Sequence, residues 1–422
     1  MRPDETPDEN RTGATLASRH ALTFIFITML VDTIGLGIII PVTPQLIEQL
    51  TGDGMSGAAR WGGWLFFVYA LMQFLCAPLI GNLSDRFGRR PVLIISLVAL
   101  GIDYLITGLA PTIAVLFIGR FLSGMAGAAY PTVNAYIADV SPPEKRAANF
   151  GLTGAAFGLG FIIGPAIGGL LGEYGPRIPF FVSAGIAFCN ALYGLIVLQE
   201  SLPPARRRRF ELWRANPLGA VVALKRFPML IGLCGVLILM RLAHDANPVV
   251  WTYFTMLKFN WSPADVGYSL MAVGAMTAFV FGIVTRVVIP RIGETRAVYL
   301  GLACGAAGFM GYAYASEGWM LYPWMAVWSL IGLVMPSLNA IMSRQVGPHE
   351  QGELQGALAS LGSLTSIAAP PLLSNLFGYF TSPAAPVYFP GAAFFAASVF
   401  LLMAAMIFAR VRPATAVESA AE

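Results

Sequence analysis

The stretch Gly81-Asn82-Leu83-Ser84-Asp85-Arg86-Phe87-Gly88-Arg89-Arg90 decides the fold, because it is a short island of charge between two long apolar runs, 61–81 and 91–110. Each run has the ~20 residues that a helix needs to cross the hydrocarbon of a bilayer. Two such runs joined by a few residues rich in arginine and glycine read as a helical hairpin with its turn at one membrane face. Glycine permits close approach at so tight a turn. Asp85, beside Arg86, Arg89 and Arg90, can form a charge latch there.

The same alternation recurs along all 422 residues, of which 57% are apolar and 11% charged, with a mean hydropathy of +0.70. Soluble domains are about 25% charged, and a water-soluble globule cannot hide so much apolar surface. The pattern predicts twelve spans, near 22–44, 61–81, 91–110, 112–137, 148–172, 179–198, 228–253, 264–285, 296–316, 319–342, 353–376 and 386–409. The expected fold is an all-α membrane protein whose partner is the lipid bilayer. The apolar composition rules out a nucleic-acid binder, and a net charge of +4 is too small to suggest a polyanionic partner. Cys76, Cys189, Cys234 and Cys304 are scattered through apolar stretches without a CxxC or Cys/His cluster. Neither a disulfide framework nor a metal site is expected, and no cofactor. Residues 1–21 are polar and acidic and lack the basic start of a secretory signal, so the first span is expected to stay as an anchor.

Placing the N-terminus in the cytoplasm puts 21 of the 26 lysines and arginines on that face. The other face holds Arg60, Arg177 and Lys258, while Arg120 and Arg241 fall within spans. This asymmetry follows the positive-inside rule. It predicts a multi-pass inner-membrane protein with both termini cytoplasmic. The division is an N-terminal tail (1–21), a six-helix half (22–198), a basic linker (199–227) carrying Arg206–Arg209, a second six-helix half (228–409) and a C-terminal tail (410–422).

The halves align at an offset of 205 residues. Arg86 and Gly88 match Arg291 and Gly293, Gly127 matches Gly332, and Pro131-Thr132-Val133-Asn134-Ala135 matches Pro336-Ser337-Leu338-Asn339-Ala340. Pro143, Gly151 and Pro165 match Pro348, Gly356 and Pro370. Prolines and glycines fix kinks and close contacts, which a duplicated scaffold keeps as its chemistry drifts. Two similar six-span halves are a transporter signature, with the substrate site expected between them near the bilayer midplane.

Ionisable residues deep in spans are costly and mark function by default. Asp32 lies ~15 Å into the first span and Asp103 ~18 Å into the third, at 1.5 Å per residue. Arg120, entering from the opposite face, reaches a depth compatible with Asp103. These groups can take or release a proton as water access or a partner changes; a static ion pair is the alternative for Asp103 and Arg120. In the seventh span Arg241, His244 and Asp245 share a helical face just before Asn247 and Pro248. They read either as a substrate- or proton-binding cluster or as a self-neutralised Arg–Asp pair near the outer mouth. Glu48, Asp53, Asp265 and Glu317 fall in expected outer loops.

The Gly81–Arg90 stretch resembles the loop signature between spans two and three of the major facilitator superfamily. The resemblance implies a latch between the halves that breaks and re-forms during alternating access. It is made of Gly81, Asp85, Arg86, Gly88, Arg89 and Arg90, with Asp139 as acidic partner. In span five, Gly160, Gly164, Pro165, Gly168 and Gly169 resemble the signature of the antiporter branch. Gly119-Arg120-xxx-Gly124-xx-Gly127 resembles the buried-arginine motif that is tied to proton coupling. Asp32-Thr33-Ile34-Gly35-Leu36-Gly37 with Pro41 and Pro44, Ile102-Asp103-Tyr104-Leu105 and Ser316-Glu317-Gly318-Trp319 are similar to the tetracycline/proton antiporters. Departures are Thr277 and Gly305, which stand where that family carries a histidine and an aspartate, and Pro290, which replaces an aspartate in the second-half motif.

The expectation is a monomeric, proton-coupled exporter of amphipathic drug-like molecules, tetracycline-type or related, and not an enzyme. No nucleotide loop, nucleophile–base set or metal-ligand spacing is present in the sequence. A proton-coupled importer of a sugar or organic acid, or a non-transporting receptor on the same scaffold, are the alternatives.

Overall fold

The computed structural model describes residues 9–208, 210, 230–347 and 350–411. The tail residues 1–8 and 412–422, and Arg209, Arg214, Lys225 and Arg226 of the expected linker, lie outside the described residues. Among the described residues there are helices and no strand. Twelve helices are long and apolar enough to cross a membrane: α1 (Leu22–Ile39), α2 (Gly54–Phe87), α3 (Arg89–Leu109), α4 (Ile113–Val140), α5 (Pro143–Gly172), α6 (Ile178–Val197), α7 (Ile231–Phe259), α8 (Pro263–Ile292), α9 (Glu294–Tyr314), α10 (Gly318–Ser343), α11 (Gln351–Phe380) and α12 (Ala392–Arg410).

Two expected boundaries are corrected. The first span does not run to 44: its helix ends at Ile39, turns through 40–42, and restarts as a short helix, Thr43–Thr51, with Pro44 in its first turn. Proline has no N–H to continue a ladder but fits a first turn. The charged stretch expected as a loop is helical up to Phe87. At 34 residues α2 is about 51 Å long, well beyond the ~30 Å hydrocarbon, so its charged end projects from the membrane. The reversal falls on Gly88 alone, whose φ of 106° lies where side chains are disfavoured.

The repeat's matched prolines mark matched kinks. Helix breaks at Ala128–Ala129 in α4 and tightens at Leu330–Leu333 in α10, in both cases just before Pro131 and Pro336. Pro131 cannot donate to the Gly127 carbonyl, and Gln73 of α2 does so instead, at 3.2 Å. A freed carbonyl at membrane depth needs such a partner.

The two halves meet at the end remote from Gly88. There Ser56 and Arg60 of α2 donate to the carbonyls of Thr381 and Gly378, both at 3.1 Å, and Glu173 accepts from the Ala264 N–H at 3.2 Å. Small residues bring backbones together: Gly63 lies against Ser374 and Pro370, Gly169 against Pro263 and Ala264, and Gly267 against the Pro165 carbonyl. Followed in steps of three and four, the α2 face through 56, 60 and 63 leads to Gly81, and the α5 face through 169, 165 and 162 leads to Gly158 and Gly151. The corresponding face of α8 leads to Gly282 and that of α11 to Gly356. A Cβ on any of these five glycines would meet nothing within 4 Å. Each seam is therefore filled at the far end and bare at the Gly88 end, so the halves are parted there.

Candidate functional site in the first half

α1, α2, α3 and α4 enclose a cavity of about 130 Å³. Asp32, Tyr69, Asp103, Tyr104 and Arg120 face it amid apolar side chains. Asp103 is fully buried and takes a 2.7 Å bond from Arg120 and a 3.4 Å bond from Thr107. The opposite-face depth argument is thus met. Gly119 makes the pair possible, because a Cβ there would lie 2.6 Å from the Asp103 carboxylate. Gly127 leaves room for the Tyr69 hydroxyl in the same way. Asp32 lines the cavity, half-buried, and makes no hydrogen bond or ion pair among the described residues. The cavity has room for several waters. It is smaller than the roughly 300 Å³ at which drug-sized pockets begin.

The span-five glycines are placed by what they touch. Gly160 lies against Thr33, Gly164 against Gly37 and the Ile34 carbonyl, and Gly168 against the Ile38 carbonyl. The backbone just beyond Asp32 is therefore clamped to α5, with the Pro165 ring against Gly37, while the Pro165 carbonyl and Gly169 face α8 of the other half.

At the Gly88 end Arg89 bonds Asp85 at 2.6 Å, the Ser84 hydroxyl at 2.6 Å and Asp139 at 3.4 Å. Every one of these groups belongs to the first half. In this conformation, with the seam bare, these bonds tie α2, α3 and α4 to one another. The Gly81 carbonyl accepts from the Ser84 hydroxyl at 2.8 Å and so orients it toward Arg89, while Arg86 rests over the Phe87 ring at 5.0 Å. Arg90 donates to the Leu195 carbonyl at 2.8 Å.

The cluster on α7 does not lie near an outer mouth. Asp245 has fourteen residues on either side within the 29-residue α7, and it interrupts the helix, since Pro248 cannot donate to the His244 carbonyl. Among the described residues no ion pair joins Arg241 to Asp245. Arg241 Nε, Asp245 Oδ2 and both amide atoms of Asn247 are buried without a partner. The exposed His244 ring lies 5.8 Å from Trp328. The structure does not bring this cluster together with Asp32. Gly305 packs against apolar side chains: a Cβ there would stand 2.9 Å from the end of Leu401 and 3.0 Å from the end of Ile331, so a larger residue would need both to shift. Among the described residues no group of three or more His, Cys, Asp or Glu is placed to hold a metal.

Sequence reasoning missed Tyr69, Thr107 and Ser84. A tyrosine or hydroxyl in an apolar span carries no signal of its own, and each matters only through the neighbour that a different helix supplies.

Two six-helix halves around buried ionisable groups define a membrane transporter. The profile of the Major Facilitator Superfamily matches residues 25–370, and the chain belongs to that superfamily and, within it, to the family of the tetracycline resistance proteins. It is 39% identical over 362 residues to the class C tetracycline resistance protein of Escherichia coli, covering 86% of this chain and 91% of that protein. It is 29% identical over 362 residues to multidrug resistance protein 2 of Bacillus subtilis (strain 168), covering 84% and 88%. The human organic anion transporter MFSD10 (TETRAN) shares the fold, with a TM-score of 0.66 at 22% identity over 93% of this chain and 99% of that one.

Proposed function

We propose that the protein is a proton-coupled exporter of amphipathic drug-like molecules, working by alternating-access antiport. The observation that carries the mechanism is the unpaired Asp32 in a water-sized cavity that it shares with the Asp103–Arg120 pair. Asp32 is the group that takes and releases the proton. Asp103 and Arg120 modulate it: their charges balance within the pair, and a proton arriving in the cavity alters that balance. The cargo, too large for this cavity, rests between the halves, where Arg241, His244 and Asp245 contribute polar contacts. Membership among resistance proteins named for tetracycline and for multiple drugs disfavours a nutrient importer. Gly305, standing where the tetracycline/proton antiporters carry an aspartate, favours a cargo related to tetracycline over tetracycline itself.

The excess of arginine at the Gly88 end supports placing that end in the cytoplasm, with both termini there, in a bacterial inner membrane. The parted seam then opens to the cytoplasm, the side from which an exporter loads. The halves 22–198 and 228–409 complete the path within one chain, so the working unit is a monomer. The test is proton movement in energised inside-out vesicles challenged with a drug panel that includes tetracyclines. A compound that collapses the pH gradient with wild type and not with Asp32→Asn is the expected result. Collapse of equal size with both would overturn the assignment of Asp32.

A further inference from the structure

α3 begins at Arg89 immediately after the turn, so the N–H groups of its first turn have no acceptor within the helix. Glu200, which follows α6, supplies one. Its Oε1 accepts from the Arg89 N–H at 2.8 Å and from the Leu202 N–H at 3.0 Å, and its Oε2 accepts from the Arg90 N–H at 3.3 Å. A carboxylate at a helix N-terminus meets both bare donors and the positive end of the helix dipole. Its neighbours reach the same place. Ser201 donates to Asp139 at 3.1 Å, Tyr136 donates to the Gln199 carbonyl at 3.0 Å, and the Arg208 N–H donates to the Asp85 carbonyl at 3.0 Å. Gly88 is confined by this arrangement, since a Cβ on it would overlap the Glu200 carboxylate and stand 3.1 Å from Arg207.

Arg89 is thus gripped twice. Asp85, Ser84 and Asp139 hold its guanidinium, and Glu200 holds its backbone. We propose that Glu200 is a positioning residue for the latch. It sets the backbone from which the Arg89 side chain bridges α2 to α4, and it makes residues 199–208 a working part of the latch. It acts through Arg89 and touches neither proton nor cargo. This rests on the reading of Asp85 and Arg89 as groups that govern the opening of the halves.

The test uses the full chain in inside-out vesicles, with Cys76, Cys189, Cys234 and Cys304 replaced by alanine and a reporter introduced as Gly158→Cys on the bare seam. The rate of labelling by a membrane-impermeant maleimide reads the exposure of that seam and needs no cargo. Glu200→Ala and Asp85→Asn are each expected to change the rate by about threefold in the same direction, and the double variant to change it no further, as for residues acting through one network. Glu200→Gln, which keeps an acceptor oxygen, is expected to fall between wild type and Glu200→Ala. A wild-type rate in Glu200→Ala, or a double variant whose factor is the product of the two single ones, would overturn the proposal. A Glu200→Ala protein with a lowered thermal midpoint and an unchanged labelling rate has lost only structure, which also overturns it. If vesicle acidification in wild type responds to no compound while the labelling pattern holds, the exporter reading fails and this one stands.

Discussion

Gly119 lies against Asp103 so closely that a methyl group on it would stand 2.6 Å from the carboxylate and 3.1 Å from the Thr107 hydroxyl that also serves it. The residue preceding Arg120 is therefore as much a part of the ion pair as its partner. Gly119→Ala is expected to push the carboxylate aside and lower proton-coupled efflux by about tenfold, the scale of overpacking a tight site. Efflux at the wild-type rate from an equal amount of protein would show that the pair tolerates displacement.

Asp32→Asn removes the one carboxylate in the cavity that has no partner. Gradient-driven efflux is expected to disappear with protein level unchanged, while Asp32→Glu keeps part of it. The drug-induced collapse of the pH gradient in inside-out vesicles measures both.

Asp85→Asn weakens the 2.6 Å bond to Arg89 without reaching either cavity or seam. Turnover is expected to fall several-fold, with cargo KM unchanged. A raised KM with unaltered turnover would assign Asp85 to binding.

Ser56 and Thr381 face one another across the filled seam, the Ser56 hydroxyl 3.1 Å from the Thr381 carbonyl. In a cysteine-free chain, Ser56→Cys with Thr381→Cys is expected to cross-link on mild oxidation and to stop transport until reduced. Undiminished transport by the cross-linked protein would mean that this seam never opens.

Gly168 and Gly154 sit on the same helix with opposite surroundings. A Cβ on Gly168 would overlap the Ile38 carbonyl, whereas one on Gly154 meets nothing within 4 Å. Gly168→Ala is expected to cost about 1–3 kcal/mol and lower the thermal midpoint. Gly154→Ala is expected to leave the midpoint unchanged. A thermal melt in detergent compares the two.

The spans were legible because a bilayer demands long apolar runs, and Asp103 with Arg120 because two charges at matching depth seek each other. The kinks were legible through the repeated Pro131 and Pro336. Glu200 was not: it stands beside prolines and arginines at the start of a linker, where a glutamate reads as solvated, and its partners come from a turn in another part of the chain. The depth of Asp245 is hidden in the sequence because α7 extends past the apolar run to Phe259. Its end carries Lys258, which interrupts the apolar run. The folded chain accommodates that charge by a 3.1 Å bond to the Ala313 carbonyl and by laying it over the Phe254 ring at 5.3 Å. The helical state of Gly81–Phe87 is hidden in the sequence because a run of charge resembles the end of a helix, when it marks only the end of the membrane.

The bare ends of the seams have a pharmacological consequence. Gly81, Gly158, Gly282 and Gly356 edge clefts whose natural occupants are other helices of the same chain. A compound that filled such a cleft would act as a doorstop, holding the halves apart at one end whatever the cargo. Its fit would depend on the shape of a helix flank, so blockade there would extend to every drug the protein expels, and changes that broaden the cargo would not evade it.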